Sequence, residues 1–292
     1  VSLSYLLCRI IDTIEDEKNI SKAEQLQIFT LLKSAILDTA HSETFLRTVT
    51  TINWSVEAES ELIKDTKILL TDLNLFPAPV QKHVRSLSIK MIDGMWHFLK
   101  ESGEGEGKIA IKSSGELNTY CYFVAGIVGE CLTKVVGEVE TKWAKTKGLV
   151  AKSHAFGLFL QKINILKDQC KDEKEGRYFV PNRKEVYKNV LMHARDSFDY
   201  ISSIPLEQKA YKVFCLSAFL LGIHTMQAIN PVASEGNVKV SRMQMLKIFM
   251  QLDRFANSND LLLEHVEDTL PTFKHVRANT VIDYSEAEAI LA

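Results

Sequence analysis

Apolar residues recur along most of the chain at steps of three and four, the spacing of helices with one buried face. Alternating apolar and polar stretches bounded by turn residues are scarce. The single Asp-Gly pair, Asp93-Gly94, lies between Met91 and Met95-Trp96 in a helical pattern. An all-α protein is predicted. Helices are expected over residues 2–16, from a cap at Ser21, and over about 43–47, 56–74 and 80–100. Pro77-Ala78-Pro79 breaks the last two apart, because proline stops helix propagation. The stretch ESGEGEG, residues 101–107, predicts a flexible loop, and Ser113-Ser114-Gly115 ends the segment after it. Long helices are expected over about 117–136, 150–171, 183–202, 207–229 and 241–257. The tail from Leu270 has no clear pattern, and no internal repeat is visible.

Composition narrows the function class. With 35 basic and 37 acidic residues the net charge is -2, so no global field attracts nucleic acid. Five cysteines without paired spacing argue against disulfides or a structural zinc site and suit a reducing, cytoplasmic compartment. The longest apolar run, residues 213–229, is interrupted by Ser217, His224, Thr225 and Gln227. It falls short of the ~20 residues that span a bilayer and reads as a buried helix. The eight histidines show no pair at ligand spacing. The first residue is Val1 rather than Met, so the sequence is expected to begin inside a longer chain.

Two segments carry chemistry. In YLLCRIIDTIEDE, Tyr5 to Glu17, Asp12 and Asp16 stand four apart, so a helix sets them on one face beside Glu15. Like charges so placed repel. Solvation of an acidic helix end relieves that repulsion, and so does a cation; magnesium takes one or two carboxylates together with phosphate oxygens. Arg9 sits in the apolar part of this helix, where a charge needs a partner or an anionic ligand. In FGLFLQKINILKDQCKDEKEGRYFVP, Phe156 to Pro181, Asp168 and Asp172 repeat the four-residue spacing. Gln161 and Asn164 share roughly one face with Asp168. Gly176 suits a C-terminal cap, and Arg177 follows on a loop able to fold over phosphates. Two such helix ends suggest facing walls of one apolar cavity. That arrangement would fit a prenyl diphosphate, with magnesium stabilising the departing diphosphate.

A third segment, YCYFVAGIVGECL, sets Tyr120, Val124, Val128 and Leu132 in a four-residue stripe. Tyr120 is its only polar tip, a candidate proton acceptor or cation stabiliser. The nearby Gly126 and Gly129 serve either close helix packing or pocket lining.

These three segments, in this order, resemble the squalene/phytoene synthase family. YLLCRIIDTIEDE resembles its first acidic motif in the D-T-x-E-D form, favouring the squalene branch. FLQKINILKDQCKDEKEGRYFVP is similar to the second motif and the G-R-x-F/Y-x-P after it, and YCYFVAGIVG to Y-C-x-Y-V-A-G-x-V-G. Phe214-Cys215 and Val238-Lys239-Val240 resemble downstream segments more faintly. The resemblance implies one isoprenoid synthase domain over residues 1–292, without the family's N-terminal segment, whose helices surround an apolar cavity with two facing Asp-rich motifs. It implies a magnesium cluster of Asp12, Glu15 and Asp16, and a second of Asp168 and Asp172 with Asn164. Tyr5, Arg9, Gln161 and Arg177 would contact diphosphate or order a lid, Tyr120 would act near the reacting carbons, and Val124, Val128, Leu132 and Phe214 would line the prenyl pocket. Two farnesyl diphosphates would condense head-to-head to presqualene diphosphate, and NADPH would reduce the rearranged cation to squalene. The alternatives are dehydrosqualene or phytoene formation without reduction, or a non-catalytic helical scaffold. Two departures stand out: Lys167 and Lys171 replace an arginine and an acidic residue common in squalene synthases. The resemblance further implies a bacterial-type enzyme, cytoplasmic or peripheral at a membrane for product release, and leaves the oligomeric state open.

Overall fold

The computed structural model describes residues 1–101, 109–234, 238–278, 282 and 285–291. The expected loop at 101–107 therefore lies outside the described residues, apart from Glu101, which ends a helix. The first six helices are α1 (Ser2–Asp16), α2 (Lys22–Leu37), α3 (Ser42–Val49), α4 (Glu57–Lys64), α5 (Thr66–Leu73) and α6 (Ala78–Glu101). Then come α7 (Ser114–Cys121), α8 (Ile127–Gly137), α9 (Thr141–Ala144), α10 (Leu149–Lys174), α11 (Arg183–Ser203) and α12 (Lys209–Ala228). The last three are α13 (Arg242–Asn257), α14 (Asn259–Thr269) and α15 (Ser285–Leu291). Among the described residues there is no strand, and the all-α expectation holds. One isolated bridge joins Ala110 to Tyr178.

Local chemistry accounts for most boundaries. Ser21 accepts a hydrogen bond from the Glu24 amide while the Glu24 carboxylate accepts one from the Ser21 amide, a reciprocal cap that starts α2. Pro79 is tolerated in the first turn of α6, where backbone amides have no partner within the helix. The expected 56–74 helix is two. At Asp65 the backbone amide reaches both Glu61 O and Leu62 O, and the Thr66 hydroxyl bonds Ile63 O, so the chain turns. The expected 117–136 helix carries a π turn at Tyr122–Gly126 between α7 and α8. Such single wide turns recur at functional sites. Helix α14, beyond the last expected helix, starts from a Ser258 cap.

Helix α10 is the central element, packed against α8, α11 and α12, while α1 packs on α2, α4, α5 and α6. Helix α6 also packs on α8 and so joins the two groups. Helix α10 lies close to α8 and to the π turn before it because two positions lack a side chain. A Cβ at Gly129 would lie 2.2 Å from the Ser153 carbonyl oxygen, and one at Gly157 2.4 Å from that of Ala125. Gly129 therefore serves packing, and Gly126, facing Leu158, does the same. By length and composition, residues Ser114–Gly137 form the one helical stretch among the described residues that is apolar enough to cross a membrane. Half of its apolar window is buried inside the molecule, Tyr120, Cys121 and Phe123 among it.

Candidate active site

Both acidic segments end their helices where the sequence predicts. Helix α1 stops at Asp16, and the next residue, Glu17, turns away from the acidic face. Its carboxylate accepts from the Ser55 amide (2.7 Å), the Ser55 hydroxyl (2.6 Å) and the Asn19 amide (2.8 Å). Glu17 is thus a structural cap for the 17–19 turn, and those hydrogen bonds hold its carboxyl below the usual range against the opposing effect of burial. Helix α10 ends in a left-handed Gly176 (φ 79°). The Gly176 amide bonds Glu173 O at 3.1 Å and the Arg177 amide bonds Asp172 O at 2.8 Å, a Schellman closure. The next residue, Tyr178, pairs with the segment before α7: its amide bonds Ile109 O (2.7 Å), and the Ile111 amide bonds Tyr178 O (2.8 Å). Arg177 is therefore fixed at both ends of its own backbone.

Its side chain joins the two acidic motifs. One guanidinium nitrogen, Nη1, lies 3.0 Å from Asp16 Oδ1, and Nη2 lies 3.2 Å from Asp172 Oδ1 and 2.7 Å from Glu175 Oε2. The two helix ends, 156 positions apart between Asp16 and Asp172, face each other across one cation. Behind Asp16, burial and the neighbouring Asp16 and Glu59 push the Asp12 carboxyl up to about 7, against the pull of Arg9. Burial, Asp16 and Asp12 push Glu15 up to about 8, with Arg177 opposing. Glu15 Oε1 is buried without a hydrogen-bond partner. Burial also raises Asp172, partly offset by Arg177.

Those features are what a divalent cation relieves: repelling carboxylates and an orphaned oxygen. Among the described residues no three acid, histidine or cysteine side chains already converge on one point. The donor set therefore fits a cation that takes one or two carboxylates and completes its shell with substrate oxygens and water, and not a closed protein cage.

Tyr120 sits at this junction. It is buried, with Phe98 edge-on at 5.2 Å and Phe179 at 5.0 Å. Burial first, then the Glu15 charge, push its phenol well above the ordinary value, so it stays protonated. Val124 and Val128 are partly buried against the core and Leu132 is buried.

Other expected residues are placed less centrally. Arg9 pairs with Glu59 of α4, a partner nothing in the sequence singled out, since it is 50 residues away. Tyr5 is 64% exposed and Phe214 46% exposed, the latter stacked on Tyr211. Asp168 pairs with Lys167 at 3.3 Å, and Asn164 accepts from the same ammonium at 3.4 Å, so Lys167 offsets the second cluster from within its own helix. Gln161 is half-buried one position from the fully buried Lys162. A groove of about 630 Å³ lies away from all of these, along Ala78 to Asp93 of α6 beside Leu291. His224 and His265, far apart in sequence, meet with Nε2 atoms 3.3 Å apart, a pair that spacing alone misses.

The chain is similar to known proteins throughout this region. The family model for squalene/phytoene synthase matches residues 1–190, which hold both acidic motifs and Tyr120. The squalene synthase of Schizosaccharomyces pombe is 23% identical, over 92% of this chain and 62% of its own length. That of Saccharomyces cerevisiae is 27% identical, over 83% and 58%, and that of Mus musculus 22%, over 92% and 66%. The chain thus spans between half and two thirds of the length of these curated relatives. These three relatives are eukaryotic, and nothing in them favours the bacterial type. The solved complex of TcSQS with the ligand E5700 superposes with a TM-score of 0.75 at 18% identity, covering 99% of this chain and 86% of that one, and shares the fold. With the family's model matched over nearly two thirds of the sequence and its two acidic helix ends drawn to one arginine, this chain belongs to the squalene/phytoene synthase family.

Proposed function

We propose that the chain is an isoprenoid synthase domain with squalene synthase activity, condensing two farnesyl diphosphates head-to-head. The observation that carries the proposal is the Arg177 bridge between Asp16 and Asp172, which aligns two acidic helix ends beside the buried phenol of Tyr120. Named relatives at 22–27% identity support the same reading.

Asp12, Glu15 and Asp16 on one side, and Asp168, Asp172 and Asn164 on the other, would hold magnesium. Bound there, magnesium supplies positive charge to the departing diphosphate. The protein's own residues do the rest. Arg177 exchanges a carboxylate for diphosphate oxygens without leaving its backbone anchor, so it orients the leaving group. Tyr120, protonated and walled by Phe98 and Phe179, offers aromatic faces to a developing carbocation and excludes water from it. Val124, Val128 and Leu132 extend an apolar wall for the hydrocarbon. Arg9, held by Glu59, and the exposed Tyr5 and Phe214 would meet substrate at the mouth of the site.

Reduction by NADPH, and peripheral contact of a cytoplasmic enzyme with a membrane at product release, complete the proposal by likeness to the named relatives. The test is incubation with farnesyl diphosphate and magnesium, with and without NADPH, followed by mass spectrometry. Squalene is expected with NADPH, and presqualene diphosphate or dehydrosqualene without it. A product indifferent to NADPH would move the chain to the non-reducing branch. No magnesium-dependent diphosphate release at all would leave a helical scaffold.

A further inference from the structure

We infer that Lys162 is a positioning residue, whose buried ammonium sets the helix carrying Tyr120 against the helix carrying Asn164 and Asp168. Lys162 lies on α10 and is 1% exposed, yet no carboxylate pairs with it among the described residues. Three acceptors surround Nζ instead: Asn118 Oδ1 of α7, Asn189 Oδ1 of α11 at 3.1 Å and His193 Nε2 of α11 at 3.2 Å. An ammonium has three N–H donors, and here each has one acceptor. His193 must then accept through Nε2, so it is the neutral Nδ1–H tautomer; its burial and the adjacent Lys162 both favour the neutral ring.

An apolar side chain of the same length would fill this space without the cost of burying a charge. What an apolar side chain cannot do is hold three helices in one register by directional bonds. The register matters because of what neighbours each partner. Asn118 is two residues before Tyr120, and between them Thr119 donates to Glu286 of α15 at 2.9 Å. On α10, Gln161 precedes Lys162 and Asn164 follows two positions later. The hydrogen bonds of Lys162 go to α7 and α11 and none goes to Asp12, Asp16, Asp168 or Asp172, so it acts through α7.

The inference rests on the proposed prenyl diphosphate chemistry, and its test separates the two. Lys162→Met keeps length and volume and removes the three donors; Asn118→Leu removes one acceptor and leaves the lysine two partners. Each variant is compared with the wild type for farnesyl diphosphate turnover, for binding of inorganic pyrophosphate with magnesium by calorimetry, and for melting temperature. Expected for Lys162→Met is a folded protein with a lowered melting temperature, because Asn118, Asn189 and His193 lose their donor, with pyrophosphate affinity within about twofold and kcat reduced about 10- to 100-fold with KM unchanged. Asn118→Leu is expected to lower kcat in the same way, and the double variant to lose no more than Lys162→Met alone. Wild-type kcat in Asn118→Leu, or in a folded Lys162→Met, overturns the inference and leaves the function standing. Loss of pyrophosphate binding in step with kcat overturns it too, because the lysine would then be supporting the anion site. A wild type that releases no diphosphate overturns both.

Discussion

Arg177 does at residue scale what no other side chain among the described residues does: it pairs with both acidic motifs. Removing its charge leaves Asp16 and Asp172 facing each other uncompensated. Arg177→Gln is expected to lower kcat for diphosphate release about 100-fold, with Arg177→Lys recovering only part, since a point charge cannot span both carboxylates. Steady-state assays of the two variants check this, and equal rates in both would refute the spanning role. Asp12→Asn and Asp168→Asn are each expected to cost about 100-fold or more while circular dichroism stays unchanged; near-normal turnover in either would exclude it as a magnesium ligand. Much at this scale was legible beforehand. Asp12, Asp16, Asp168 and Asp172 could be picked out because a four-residue spacing stacks side chains on a helix face whatever the fold. Glu59 and Lys162 could not be given roles, because their partners are 50 and 27 or more residues away. For Lys162 a clue did exist: it is the one cation in the otherwise largely apolar stretch from Ala155 to Leu166 of α10.

Among the elements, α10 packs closely on α8 at Gly129 and on the π turn before α8 at Gly157. Gly157→Ala weighs two effects. Alanine gains about 1 kcal/mol of helix propensity over glycine. Against it stands a methyl 2.4 Å from the Ala125 carbonyl oxygen, a backbone atom that cannot swing aside. Overpacking of this kind costs about 1–3 kcal/mol, so the net change is expected to be destabilising, seen as a lower melting temperature. A raised melting temperature would show that the contact gives way easily. Helix boundaries were largely readable, α1 and α11 to within a residue, because caps and periodicity are local signals. The break at Asp65 and the π turn at Tyr122–Gly126 were not. Both interrupt stretches whose residues all suit a helix, so packing and not propensity decides them.

For the molecule as a whole, Glu130 of α8 is one source of stability that acid removes. Burial alone would raise this carboxyl, but hydrogen bonds from His154 and Lys134 and the charge of Lys90 outweigh it and hold it well below the usual range. A depressed carboxyl stabilises the fold above its unfolded value, about 4.3, and that contribution drains away as pH falls further. Melting temperature is therefore expected to fall steeply below about pH 4 in the wild type, and less steeply in Glu130→Gln. Parallel profiles in scanning calorimetry would contradict that. The amino-acid order by itself determined most of the helices, the cap that starts α2 and the one that ends α10, and the two acidic faces, because each depends on neighbours within one or two turns. Only the tertiary structure decided that Arg177 spans both motifs, that Glu17 is a cap and Arg9 a partner of Glu59, and that Lys162 is ringed by acceptors. Those are meetings of residues from different helices, and their geometry exists only once the helices have packed.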